Sequence, residues 1–336
     1  MITRSLSLTQ SLAVENGSTS ALQHSKRTSL VNEGASKGWL FYKRIQQFPL
    51  LILQNSPKSR IRTHEVTDPT LTLGQETVYL NQYEPSLLFP IPRSNSRSTF
   101  LSEDLPFGGV DIWNVWDLTW LGPGNLPVVA TVEIRIPATS PNLVESKSLK
   151  LYLNSFAMST YNAISEVEVL ITQDLLACVG ETVEVHIRTM ANTESCQISQ
   201  LPGRCLDSIA VTCSSREVDA TILQADTSNV VEESLHSHLL RSLCPVTAQP
   251  DIGSIGVQYC GPKIDPASLL QYIVSFREHN DFHEACIERM FVDILERCTP
   301  ENLIVFARYQ RRGGIDINPM RSNVNVDMKN LRLWRQ

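Results

Sequence analysis

The chain has 336 residues, 42% of them hydrophobic and 19% charged, the make-up of a globular protein with an ample core. Its net charge of −6 argues against a dedicated nucleic-acid binder, which needs a basic face to neutralise phosphates. The densest early apolar patch, Phe48 to Leu53, is far short of the roughly 18 residues of a membrane span and lacks a small-residue cleavage site, so neither a span nor a signal peptide is expected.

Residues 1–65 differ from the rest. They are rich in Ser, Thr, Asn and Gln and weakly periodic, and residues 1–64 hold nine Lys/Arg against two Glu. A basic, disordered extension is expected there. None of the eight cysteines forms a C-x-x-C pair, so zinc-ribbon and thioredoxin readings have no support. A chain with this much core needs no disulfide framework, and the composition reads as cytoplasmic.

From about residue 106 the patterning sharpens. The segment 126–136 (LPVVATVEIRI) alternates as a strand does. A polar break over 137–142 leads to a helical pattern from Lys147, with Leu149, Tyr152, Leu153 and Phe156 at helical spacings. The segment 181–190 reads as a further strand. The later half repeats the order: a strand over 254–261, a helix over 265–276 with Asp265 as N-cap and Pro266 at its first position, a helix over 283–298, and a strand over 302–310.

An internal repeat appears at an offset of 120 residues. It pairs Leu149 with Leu269, Tyr152 with Tyr272, Ser155 with Ser275, Phe156 with Phe276, Glu168 with Glu288, Leu175 with Leu295 and Cys178 with Cys298. The fold class is α+β, with two similar modules of antiparallel strands and a helix pair on one face, divided as 66–235 and 236–336. Glu145-Ser146-Lys147 in the first half stands opposite Asp265-Pro266-Ala267, and His283-Glu284 in the second opposite Ala163-Ile164. Each half keeps polar groups the other lacks, so one composite site drawn from both follows.

Four stretches carry chemistry. In 242–254 (SLCPVTAQPDIGS) Cys244 is a candidate nucleophile and Asp251 an acid to protonate the atom that gains charge. A buried cysteine and a turn-forming Pro250-Asp251 fit the pattern equally well. In 276–291, Phe282-His283-Glu284 precedes an apolar-periodic stretch, and a carboxylate there can accept two hydrogen bonds from a purine-like edge. In 307–322, Arg308, Arg311, Arg312 and Arg321 with Gly313-Gly314 read as a basic loop suited to an anionic ligand, or as a solvated turn. Glu145, Ser146 and Lys147 lie at a loop-to-helix junction, where backbone N–H groups and Lys147 suit phosphate. Lys150 reads as a surface residue.

No G-x-G-x-x-G follows a strand, and no Walker loop is present. His236-Ser237-His238 has a spacing known from zinc sites, but it falls in 234–243 (SLHSHLLRSL), a helical pattern in which positions i and i+2 point apart. No metal site is therefore expected, which disfavours a zinc-dependent cyclohydrolase.

Segments 145–156, 244–254, 274–284 and 307–319, in that order, closely resemble 7-cyano-7-deazaguanine reductase, the nitrile reductase of the queuosine pathway, in its long bimodular form. The resemblance runs from about residue 70 to the C-terminus. It implies a tunnelling fold, related to GTP cyclohydrolase I, and reduction of a deazaguanine nitrile to the aminomethyl compound by two hydrides from NADPH. It implies a cytoplasmic homodimer that acts on a small molecule, with no direct contact to nucleic acid or membrane. By resemblance, Cys244 forms a covalent thioimide with the nitrile carbon and Asp251 protonates the nitrogen. Val144, Glu145, Ser146, His283 and Glu284 contact the substrate, and Ser146, Lys147, Arg312 and Gly313 contact the cofactor. Ile252 and Met320 stand where the family often has tryptophan.

Overall fold

The structure, a computed structural model, describes residues 80–101, 104–190 and 197–336. These fall within one compact unit, Glu65–Gln336. The extension expected over residues 1–65 lies outside the described residues.

Strands and helices alternate along the chain as β1 (Pro90–Pro92), α1 (Ser94–Arg97), β2 (Gly108–Leu121), β3 (Pro127–Pro137), β4 (Asn142–Val144), α2 (Ser146–Ser155), α3 (Ile164–Val179) and β5 (Glu184–Thr189). Then come β6 (Arg204–Cys205), β7 (Ala225–Leu243), β8 (Pro250–Ile264), α4 (Pro266–Ser275), α5 (His283–Cys298), β9 (Asn302–Tyr309) and β10 (Ile315–Ser322). Eight strands form one sheet in the order β5-β3-β2-β10-β9-β8-β7-β6, and β1 pairs with β4 separately. Every pairing is antiparallel except the short parallel one between β6 and β7.

The repeat is visible in detail. α2 and α4 have identical bounds at the 120-residue offset, and α3 and α5 differ by one position. Glu145 caps α2 by accepting from the N–H groups of Lys147 and Ser148, and Asp265 caps α4 by accepting from Ala267 and Ser268. Tyr152 donates to Asp174 and Tyr272 to Asp293, each at 2.6 Å. Ser155 and Ser275 each donate to the tyrosine carbonyl three residues back, at 2.6 Å. The helix expected over 265–276 thus has its expected cap and proline, and the helix expected over 283–298 has its expected bounds.

Two cores lie on the helix-bearing face. Leu149, Tyr152, Phe156, Val167, Ile171 and Leu175 pack on Trp113, Val132 and Ile134. Leu269, Tyr272, Phe276, Ile287, Met290 and Phe291 pack on Leu240, Ile255, Val257 and Val305. A third cluster, with Ile112, Leu201, Phe306, Met320, Met328 and Leu333, forms separately. Met320, at a position where tryptophan is common, is 4% exposed and fills this cluster.

Three sequence expectations are corrected. Residues 234–243 are not helical but form the end of β7, and the module division at 235/236 therefore falls inside a strand. A β-bulge between Ser237 and Leu240 explains the misreading. Leu235, Ser237, Leu240 and Ser242 are all buried, and the extra residue turns a two-residue period into a spacing that mimics a helix. Asp251 lies within β8, opposite Ser242, rather than in a turn.

The third concerns the arginines of 307–322, only two of which belong to a loop. Arg308 lies on β9 at 2% exposure, and Arg321 lies on β10 with none. Arg321 pairs with Asp111 at 2.7 Å and Glu288 at 2.8 Å, and Arg93 and Arg97 complete the network. Buried charges survive only when paired in this way.

Candidate active site

The loop Cys244–Gln249 closes the β7–β8 hairpin. The Cys244 N–H donates to the Gln249 carbonyl at 2.9 Å, and the Ala248 N–H donates back to the Cys244 carbonyl at 2.9 Å. This requires a left-handed conformation at Ala248, with φ of 52°. The loop is tied to the segment that leads into α5. Leu243 N–H donates to His279 O at 2.8 Å, Asp281 N–H donates to Leu243 O at 3.2 Å, and the Asn280 amide donates to Cys244 O at 2.9 Å. These bonds set the cysteine beside the first turn of α5, where His283 and Glu284 lie.

A cavity of about 280 Å³ opens here, a little below the usual range for small-molecule sites of about 300–1,000 Å³. The ten residues to which the family resemblance gives a role all line it: Val144, Glu145, Ser146 and Lys147 from the β4–α2 junction; Cys244 and Asp251; His283 and Glu284; and Arg312 and Gly313 from the β9–β10 connection. Arg308, Arg311, Gly314 and Arg321 do not. Both halves of the repeat therefore contribute to one cavity. Phe282, next to His283, lines it too, as do Trp113, Lys150 and Ile317, which sequence reading did not single out for it. Lys150, expected at the surface, is partly buried and paired with Asp117.

Cys244 is half-buried with a free thiol. Asp251 is 4% exposed. Burial alone would raise its pKa, but the charges of His283 and Arg312 outweigh burial and hold the carboxyl below its ordinary value. Arg312 donates to both Asp251 and Gln249. His283 Nε2 lies 3.2 Å from Asp251 Oδ2, off line for a hydrogen bond, and its ring stacks on Tyr309 at 3.9 Å between centroids. The geometry makes this contact an ion pair at most.

The two glutamates that line the cavity differ. Glu145 is 4% exposed, and both its oxygens already accept helix N–H groups, from Lys147 at 2.9 Å and from Ser148 at 2.6 Å. Its remaining lone pairs are what a ligand can use. The same bonds consume the Lys147 and Ser148 N–H groups, so the expected phosphate site there falls to Ser146 and the Lys147 ammonium. Glu284 is 2% exposed, and burial with the nearby Asp111 charge pushes its pKa up to about 7. The indole N–H of Trp113 and Nε2 of His283 have no hydrogen-bond partner among the described residues. A bound ligand with polar edges can satisfy both.

Gly313 has φ of 59° and open space where a side chain would stand, so a ligand can approach its backbone. Arg312, 40% exposed in its side chain, sits beside it. A phosphate-bearing cofactor fits this pair, and Lys147, which lines the same cavity, adds a second cation.

Among known proteins, residues 79–187 match the family model described as nitrile reductase, 7-cyano-7-deazaguanine-reductase N-term. Residues 250–327 match the model described as QueF-like protein. One solved structure, the crystal structure of the archaeosine synthase QueF-Like in the apo form, is 15% identical, with a TM-score of 0.26 over 31% of this chain and 100% of that one. That likeness is too slight to bear on the fold. The two family models match separate stretches in the same order as the two halves of the cavity, and the chain belongs to the QueF family of 7-cyano-7-deazaguanine nitrile reductases.

Proposed function

We propose that this chain reduces the nitrile of 7-cyano-7-deazaguanine to 7-aminomethyl-7-deazaguanine with NADPH, through a thioimide on Cys244. Family membership implies nitrile reduction in the queuosine pathway, and hence an oxidoreductase. The observation that carries the finer reading is the single cavity in which Cys244, Asp251, Glu145 and Glu284 meet.

The Cys244 thiolate adds to the nitrile carbon, forming a C–S bond while one C–N π bond breaks, and Asp251 delivers a proton to the nitrogen. When bound, NADPH would supply the two hydrides, the first for the thioimide carbon and the second for the imine left once the thiolate departs. Arg312, Gly313, Lys147 and Ser146 would hold it. Each hydride is balanced by one proton, which Asp251 and His283 are placed to relay. Glu145 and Glu284 read the N–H edge of the base. Walls made of Trp113, Phe282, Ile315 and Ile317 keep water from the imine.

The Arg312–Asp251 pair has a role in this scheme. An ionised Asp251 cannot donate. When Arg312 turns to a phosphate, Asp251 loses one of its two cationic partners and its pKa rises. Cofactor binding would thereby ready the acid.

A tunnelling fold suits the antiparallel strands with two helix pairs on one face. The sheet is open at β5 and at the two-residue β6, and a second copy that pairs its edges would complete a barrel, as a homodimer. A cytoplasmic location goes with the same reading. The module boundary then belongs before β7 rather than at 235/236.

The test is mass spectrometry after mixing the protein with the nitrile and no NADPH. A covalent adduct on Cys244, with the mass of the intact nitrile, is expected. Its absence, or NADPH consumption that persists in Cys244→Ala, overturns the mechanism.

A further inference from the structure

Two histidines that a helix would separate are brought together by β7. His236 and His238 lie two apart on an extended strand, and their rings stand 5.3 Å apart between centroids. β6 runs alongside, with Cys205 in register with His236. The thiol of Cys205 and one ring nitrogen from each histidine all lie within 4.8 Å of one another.

The local chain is built to allow this approach. Gly203 has φ of 82°, and a side chain there would lie 1.9 Å from the Ser234 carbonyl oxygen. Only glycine lets the 202–205 segment lie this close on β7. The Leu206 N–H then donates to the His236 carbonyl at 2.8 Å.

The groups that hold the two imidazoles point the same way. His236 Nδ1 faces the Pro202 carbonyl at 3.0 Å. A carbonyl only accepts, so Nδ1 carries the proton and Nε2 keeps its lone pair. His238 Nδ1 is 2.8 Å from the Ser254 hydroxyl, which also receives Arg335 at 3.1 Å. The hydroxyl has lone pairs for both donors, and accepting from Nδ1–H selects the tautomer that frees Nε2 for a metal. One thiolate and two oriented imidazoles are a ligand set of the zinc class.

We propose that Cys205, His236 and His238 bind a divalent cation of the zinc class, with a fourth position open to solvent. On coordination Cys205 gives up its thiol proton. Tetrahedral zinc wants ligand atoms roughly 3.4 Å apart, so exposed Cys205 must close in by about an ångström, which a side-chain rotation supplies. None of the three lines the Cys244 cavity. The site is separate from it, and its effect is to clamp the edge strand β6 onto β7.

The experiment uses the untagged full chain, stripped with a chelator and titrated with Co(II), then Zn(II). The expected result is one cobalt per chain with a thiolate-to-cobalt absorption band, displaced by zinc. A rise in melting temperature with zinc is also expected, since binding the folded state alone stabilises it. Cys205→Ser should abolish the band, and His236→Val, which suits a strand, should weaken cobalt binding more than the about 10–100-fold typical of second-shell losses. An unchanged band and stoichiometry in Cys205→Ser would show that cobalt sits on another thiol and would overturn the site. Failure of the parent chain to take up cobalt would do the same, and His236→Val gives an independent reading.

Discussion

Arg312 reaches from the β9–β10 connection to the Asp251 carboxylate on β8, across the mouth of the cavity that holds Cys244. With His283 it outweighs the effect of burial and keeps Asp251 ionised in the unliganded chain. Removing it has two separable effects. In Arg312→Ala the Asp251 pKa rises, so the alkaline limb of kcat/KM for the nitrile should move to higher pH. The KM for NADPH should rise about tenfold or more, as expected for a lost charge-assisted phosphate contact. A pH profile at saturating NADPH separates the two. An unmoved limb would show that Asp251 is not the acid that profile reports.

Glu284 sets a conflict between stability and binding. Its pKa is pushed up to about 7 in the folded protein, against 4.5 normally. Between those values the folded state holds the proton more tightly than the unfolded one. Stability therefore falls as pH rises through that window and stays reduced above it. Glu284→Gln removes the term and should stabilise the protein at pH 8 relative to pH 5, by up to about 3 kcal/mol. It should also weaken nitrile binding, because an amide cannot accept both N–H groups of the base. Denaturant melts at the two pH values and a binding titration check both effects.

Trp113 lines the cavity, and its indole N–H has no partner among the described residues. Trp113→Phe deletes that donor and also leaves a void in the core, where the ring is 1% exposed. The expected outcome is a lower melting temperature and, in the folded variant, about 2- to 10-fold weaker nitrile binding, the worth of one neutral hydrogen bond. Calorimetric titration measures it, and unaltered affinity would remove Trp113 from the recognition of the base.

Glu288 accepts from Arg321 and Arg97 at 2% exposure, and Arg93 lies 3.5 Å away. Glu288→Ala leaves buried guanidiniums short of an anion and should cost about 3–5 kcal/mol. The loss should appear as a lower melting temperature. Adduct formation on Cys244 should survive wherever the fold does, since Glu288 does not line the cavity.

Much of this protein is legible without coordinates. The bounds of α4 and α5, the Asp265 cap and the 120-residue repeat follow from local rules that short windows carry: helical spacing, a cap, a proline at the first turn. Ten of the cavity-lining residues are legible in motifs because they sit at or near the point where a loop meets an element, whereas Trp113 and Ile317 lie within strands and carry no such signal. Other features needed the tertiary structure, because in each case a residue's partner is remote in sequence. Charge alone could not tell Arg321, buried against Asp111 and Glu288, from loop-borne Arg312. One inserted residue in β7 gave a strand the period of a helix, so the meeting of Cys205, His236 and His238 depends on a pairing of β6 with β7 that no local pattern encodes.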